Sequence, residues 1–123
     1  MLGLAGALGT MGRYGMSGLV YRWLGDRLPY GTLAVNVVGS FVLGALMHVS
    51  LATDLVPRTW RLALTVGFLG AFTTYSTFSY ETVRYLEEGA WRPALANVAL
   101  NLVLGLAAAW AGIASSRAWI GGA

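Results

Sequence analysis

Residues 67 to 79 read Gly67-Phe68-Leu69-Gly70-Ala71-Phe72-Thr73-Thr74-Tyr75-Ser76-Thr77-Phe78-Ser79, placing glycines, hydroxyls and aromatics inside a segment otherwise apolar enough to cross a membrane. Five of the thirteen are Thr or Ser, whose side chains compete for backbone hydrogen bonds, and two glycines precede them. A helix entering at Arg58 is therefore expected to break near Gly70 to Thr73, within residues 70–76. In hydrocarbon a broken helix leaves bare carbonyls and amides, which persist only where protein, a bound ion or a water-filled cavity satisfies them. The segment points to an ion or substrate site.

Composition agrees with a membrane setting. The chain is 57% hydrophobic and 11% charged, with a mean hydropathy of +0.65, whereas charged residues make up about a quarter of a soluble domain. A crossing takes about 20 apolar residues, so the 123 residues fit four crossings joined by short connections and no second domain. The expected fold is an all-α integral membrane protein, one multi-pass domain over residues 1–123, with helices at about 2–24, 30–51, 58–86 and 92–116. Pro29, Pro57 and Pro93 stand where helices begin, and Trp23, Trp60, Trp91 and Trp119 fall at the ends, at the level of the headgroups. Both chain ends should share one side. Four short helices can hardly line a pore and also shield it from lipid, which favours an oligomer.

No cysteine is present, so thiolate catalysis and thiolate metal sites are excluded, and the single His48 cannot form a multi-histidine site. No basic region precedes the first apolar run, so a cleaved signal peptide is not expected. The net charge of +3 comes from eight arginines and no lysine, scattered along the chain, which is no case for nucleic-acid binding. Arg58, Arg61 and Arg117 fall on the side of the termini; Arg22, Arg27, Arg84 and Arg92 fall on the other. So small a bias gives no firm orientation, as a chain inserting both ways would show, and as a noisy small count would show too.

Glycine recurs at 3, 6, 9, 12, 15 and 18. On a helix this spacing walks around the axis and leaves shallow grooves for close helix packing; Ser40 and Gly44 make a similar small-residue pair. Arg13 falls roughly halfway across the first helix. It either snorkels to the surface, or stands as a fixed positive charge beneath an aqueous vestibule. Asn36, Asn97 and Asn101 should face protein or water; Asn97 reads as interhelical glue, while Asn36 and Asn101 read as pore lining beside the broken segment. Tyr75 and Phe78 share a helix face, with Ser76 and Thr77 offering hydroxyls beside them. Ring edges carry partial positive charge, so an anion stripped of water could rest among edges, amides and hydroxyls without meeting a full charge. Glu81 could pair with Arg84 or Arg13, or mark a far vestibule.

These residues resemble the small fluoride-channel family known as Fluc or CrcB. The similarity runs through Gly9 to Tyr14 (Gly-Thr-Met-Gly-Arg-Tyr), Gly31 to Gly44 (Gly-Thr-Leu-Ala-Val-Asn-Val-Val-Gly-Ser-Phe-Val-Leu-Gly) and, above all, Gly67 to Ser79. The resemblance implies an antiparallel, dual-topology homodimer of four-helix subunits with two fluoride pores, in a bacterial or archaeal cell membrane. It implies a structural sodium ion at the dimer centre, held by the backbone carbonyls of Gly70 and Thr73. It further implies a pore along Asn36, Tyr75, Ser76, Thr77, Phe78 and Asn101, with Arg13 in the vestibule. Fluoride would leave the cytoplasm passively, conferring fluoride resistance.

This sequence departs from the family pattern at three positions: Tyr75 stands where a first phenylalanine is usual, Asn97 where tyrosine is common and Asn101 where serine is common. Some family members pair unlike chains, so Tyr75 leaves a paralogous partner open beside the homodimer. A four-helix, dual-topology small-molecule exporter is the rival reading, but proton coupling needs a carboxylate buried in a helix, typically the first, and this first segment has none before Asp26. No catalytic constellation is visible, so an enzyme is not expected.

Overall fold

A computed structural model describes residues 1–120. Among them every regular element is helical and there is no strand. Helix α1 (Leu2–Leu24) stops at Gly25, whose φ of 81° and amide bond to the Tyr21 carbonyl turn the chain away from the helix. Helix α2 (Tyr30–Ala52) follows Pro29 directly. The next stretch comprises α3 (Arg58–Leu62), a π-helical segment (Ala63–Leu69) and α4 (Gly70–Phe72), again opened by a proline, Pro57. Helix α5 (Tyr75–Glu87) and helix α6 (Trp91–Trp119) complete the order, separated by a turn in which Gly89 takes a φ of 74°. Proline suits these starts because its ring presets φ and the first helical amides have no intrahelical acceptor anyway.

Close helix packing rests on a few glycines. A Cβ on Gly112 would collide with the Phe41 carbonyl, and one on Gly44 with the Ala109 carbonyl, so α2 and α6 approach backbone to backbone. Gly9 does the same for α1 against Phe68 in the π-helical segment. Of the evenly spaced glycines in α1, only Gly6, Gly9 and Gly12 face that stretch and Phe72, while Gly3, Gly15 and Gly18 look onto open space. The expected packing on several sides is thus confined, within one chain, to one side.

The buried apolar core among the described residues is small: Val35, Ala63, Leu69, Phe72 and Ala94. In contrast, α6 leaves Val103, Leu106 and Trp110 62%, 65% and 71% exposed, a surface that water would not tolerate. Both α2 and α6 are long and apolar enough to cross a membrane.

The interruption falls on two threonines. Gly70 keeps helical angles (φ −61°, ψ −36°), and the backbone turns extended only at Thr73 (φ −87°, ψ 161°) and Thr74 (φ −149°, ψ 115°). Glycine freedom is therefore not what breaks the chain. The Thr73 hydroxyl donates back to the Leu69 carbonyl at 3.0 Å, the Thr74 amide is captured by another helix, and the Thr74 hydroxyl caps the next one by accepting from the Thr77 amide at 3.2 Å.

Candidate functional site

Asn36 is the group that captures Thr74. Its Oδ1 accepts from the Thr74 amide at 2.8 Å, and its Nδ2 donates to the Thr74 carbonyl at 3.2 Å and to Asn101 Oδ1 at 3.0 Å. One carboxamide on α2 thus serves both backbone groups of Thr74, so that residue's amide and carbonyl need no water. The position is half-buried.

Around this clamp lies a groove of about 470 Å³. Asn36, Gly70, Thr73, Thr74, Tyr75, Phe78 and Asn101 line it, with Gly39, Ser40 and Gly105 completing the faces of α2 and α6. Its polar atoms are amides, hydroxyls and carbonyls; among the described residues no acidic or basic side chain lines it. The Tyr75 and Phe78 rings lie 5.9 Å apart between centroids and tilt by 51°. That arrangement offers an edge as well as a face to whatever enters. Tyr75 is 80% exposed, the most open of the groove's side chains on this segment.

The carbonyls of Gly70 and Thr73 have lost their helical partners. The amide that would close on Gly70 is that of Thr74, which turns to Asn36; the amide that would close on Thr73 is that of Thr77, which turns to the Thr74 hydroxyl. Both residues border the groove. Uncharged oxygens of this kind suit a hard monovalent cation, so the donor set fits the sodium that the sequence resemblance implies.

Other expected site residues lie elsewhere. Ser76 and Thr77 do not line the groove: Thr77 Oγ1 accepts from the Thr74 hydroxyl at 3.0 Å, and Ser76 Oγ lies 3.5 Å from that hydroxyl. Arg13 is also outside it, with Nε donating to the Ala71 carbonyl at 3.0 Å, where a cation satisfies the last turn of α4. Glu81 pairs with neither Arg13 nor Arg84. Its Oε2 accepts from the Thr32 hydroxyl at 3.1 Å and more weakly from the Tyr21 hydroxyl at 3.5 Å, while Arg84 reaches Glu88 at 3.5 Å. Glu81 borders a second cavity of about 470 Å³ with Tyr21, Asp26, Tyr80 and Arg84.

Sequence reasoning missed Gly39 and Gly105 as groove walls and the Thr32 to Glu81 contact. The first two carry a readable signal: Gly39 is three residues past Asn36, and Gly105 is four past Asn101, so each shares its asparagine's helix face. The third joins residues 49 apart and leaves no local pattern.

The family described as "CrcB-like protein, Camphor Resistance (CrcB)" matches residues 1–113. The chain belongs to the CrcB family. Among its relatives, a protein of Geobacter metallireducens named "Fluoride-specific ion channel FluC" is 50% identical over 116 residues, 94% of each chain. A protein of Sorangium cellulosum with the same name is 47% identical over 121 residues, 98% of this chain and 95% of its own length. Another, from Geobacter sp. (strain M21), is 50% identical over 117 residues, 95% of this chain and 94% of its own. Similarity that runs end to end covers the break, the Asn36 clamp and α6 alike, and membership in this family marks the chain as a membrane transport protein.

Proposed function

We infer that this CrcB-family chain forms a fluoride-specific ion channel that lets the ion leave the cytoplasm down its electrochemical gradient, and that it is a transporter and not an enzyme. The observation that carries the reading is the uncharged groove at the helix break, held by Asn36 and faced by Tyr75 and Phe78, in a chain half identical to proteins named for fluoride conduction. Fluoride must shed water to enter. Ring edges and the Asn36 amide replace part of that hydration, and since an anion is a stronger acceptor than a carbonyl, it competes for the hydrogen now on the Thr74 carbonyl. Asn101 borders the path beside Asn36, and the hydroxyls of Ser76 and Thr77 continue it beyond the rings. Arg13 draws anions toward the mouth.

The working unit is an antiparallel dimer of this chain, each copy crossing the bilayer four times with its third crossing broken at Thr73 and Thr74, in the inner membrane of a bacterium or archaeon. The sparse core and exposed apolar faces support this. Gly70 and Thr73 carbonyls from both copies would hold a structural sodium ion, which would coordinate oxygens that have lost their helical amide partners.

Fluoride efflux from liposomes holding only the purified chain tests the reading. Rapid fluoride release with chloride retained supports it. An inert preparation overturns the homodimer and calls for a paralogous subunit.

A further inference from the structure

The chain has three asparagines and no glutamine, so Asn36, Asn97 and Asn101 are its only carboxamide side chains. All three belong to a single hydrogen-bonded series. It starts at the Thr74 amide, which can only donate, so Asn36 must present Oδ1 there and Nδ2 to Asn101 Oδ1. Asn101 then has only Nδ2 left, and both its hydrogens go to Asn97, to the backbone carbonyl at 2.9 Å and to Oδ1 at 3.0 Å. Asn97 Nδ2 donates to Thr82 Oγ1 at 3.0 Å, and that hydroxyl donates to the Phe78 carbonyl at 2.9 Å. The series leaves the chain at Thr74 and returns at Phe78. It therefore brackets residues 75–78, the turn of α5 on which Tyr75 and Phe78 sit.

Asn97 is 3% exposed and does not line the groove. Its side chain nevertheless forms the one link, among the described residues, between the Asn101 amide and α5, and without it the far end of the bracket is open. We propose that Asn97 is a positioning residue that, through Asn101 and Thr82, holds the aromatic-bearing turn of α5 in register with the Asn36 clamp. One consequence concerns the donors. Asn101 spends its hydrogens on Asn97, which is outside the groove, whereas Asn36 spends one on the Thr74 carbonyl at the groove's edge, the hydrogen an anion there competes for, and Asn101 orients Asn36. The proposal rests on the conduction reading above but has a readout that does not.

That readout is the nuclear magnetic resonance spectrum of asparagine-labelled protein in micelles, which should contain three side-chain NH₂ pairs. In the unmodified chain the Asn101 and Asn97 pairs should exchange slowly with water; exchange as fast as that of exposed amides overturns the series. The second test is fluoride efflux through Asn97→Leu, Thr82→Val and the double variant. Each single change should slow efflux about tenfold, the scale of one lost buried hydrogen bond. The double variant should be no slower than the worse single one, because both open the same series. Independent, multiplying losses overturn the proposal. If the unmodified chain alone conducts no fluoride, the homodimer reading fails while the exchange measurement still decides the series.

Discussion

Asn36 answers three groups with one carboxamide, which makes it the residue least open to conservative replacement. In Asn36→Asp the acceptor for the Thr74 amide survives, but an oxygen then faces the Thr74 carbonyl and Asn101 Oδ1, and a negative charge stands in an anion's path. Fluoride efflux from liposomes should fall by at least about tenfold, the consequence of leaving two acceptors unpaired beside a like charge. Phe78→Ile keeps apolar bulk and removes the ring edge. Efflux should fall similarly while size-exclusion chromatography still gives the wild-type elution volume; retained flux would mean that the rings are not part of the path. At this scale the sequence discloses residue types better than their contacts. Asn36, Tyr75, Phe78 and Asn101 border one groove because each sits on a helix face that spacing predicts. Arg13 and Glu81 find partners, Ala71 and Thr32, that lie 58 and 49 residues away, and no local pattern announces such pairs.

Helices in this chain are defined by what ends them. Thr74 is at once the extended residue and the cap of α5, so Thr74→Ala should lower stability by about 1 kcal/mol, the usual cost of losing a hydroxyl cap, seen as a lower midpoint of thermal unfolding in detergent. Glycines make a second contrast. Gly112→Ala pushes a methyl into the Phe41 carbonyl and should cost roughly 1–3 kcal/mol. Gly15→Ala meets nothing within its own chain and should leave the unfolding midpoint of the isolated subunit unchanged or slightly raised. The helical class was legible from apolar runs and from prolines at helix starts. The interruption falls inside the expected stretch 70–76, but its place at Thr73 and Thr74 was not legible, because the Asn36 side chain of α2 that takes both backbone groups of Thr74 lies 38 residues away. The π-helical segment at Ala63–Leu69, against which α1 packs at Gly9, was not legible, since no local residue pattern announces it.

Over the whole molecule, the near balance of arginines between the two sides leads to an expected insertion in both orientations. The chain lacks cysteine, so Asp54→Cys, on an exposed loop, supplies a unique label. In intact cells a membrane-impermeant maleimide should reach about half the copies, and complete or absent labelling would rule out mixed orientation. Membrane character was readable from composition alone, and the family from three stretches of residues. The assembly was less accessible because the surfaces that would join two copies are, in one chain, simply exposed apolar faces. The groove of neutral dipoles has its own bearing on physiology. A corridor without a fixed counter-charge gives its traveller no deep resting place, so throughput should rise in step with supply instead of levelling off, and a cell flooded with the toxic halide would be drained faster the worse the flood.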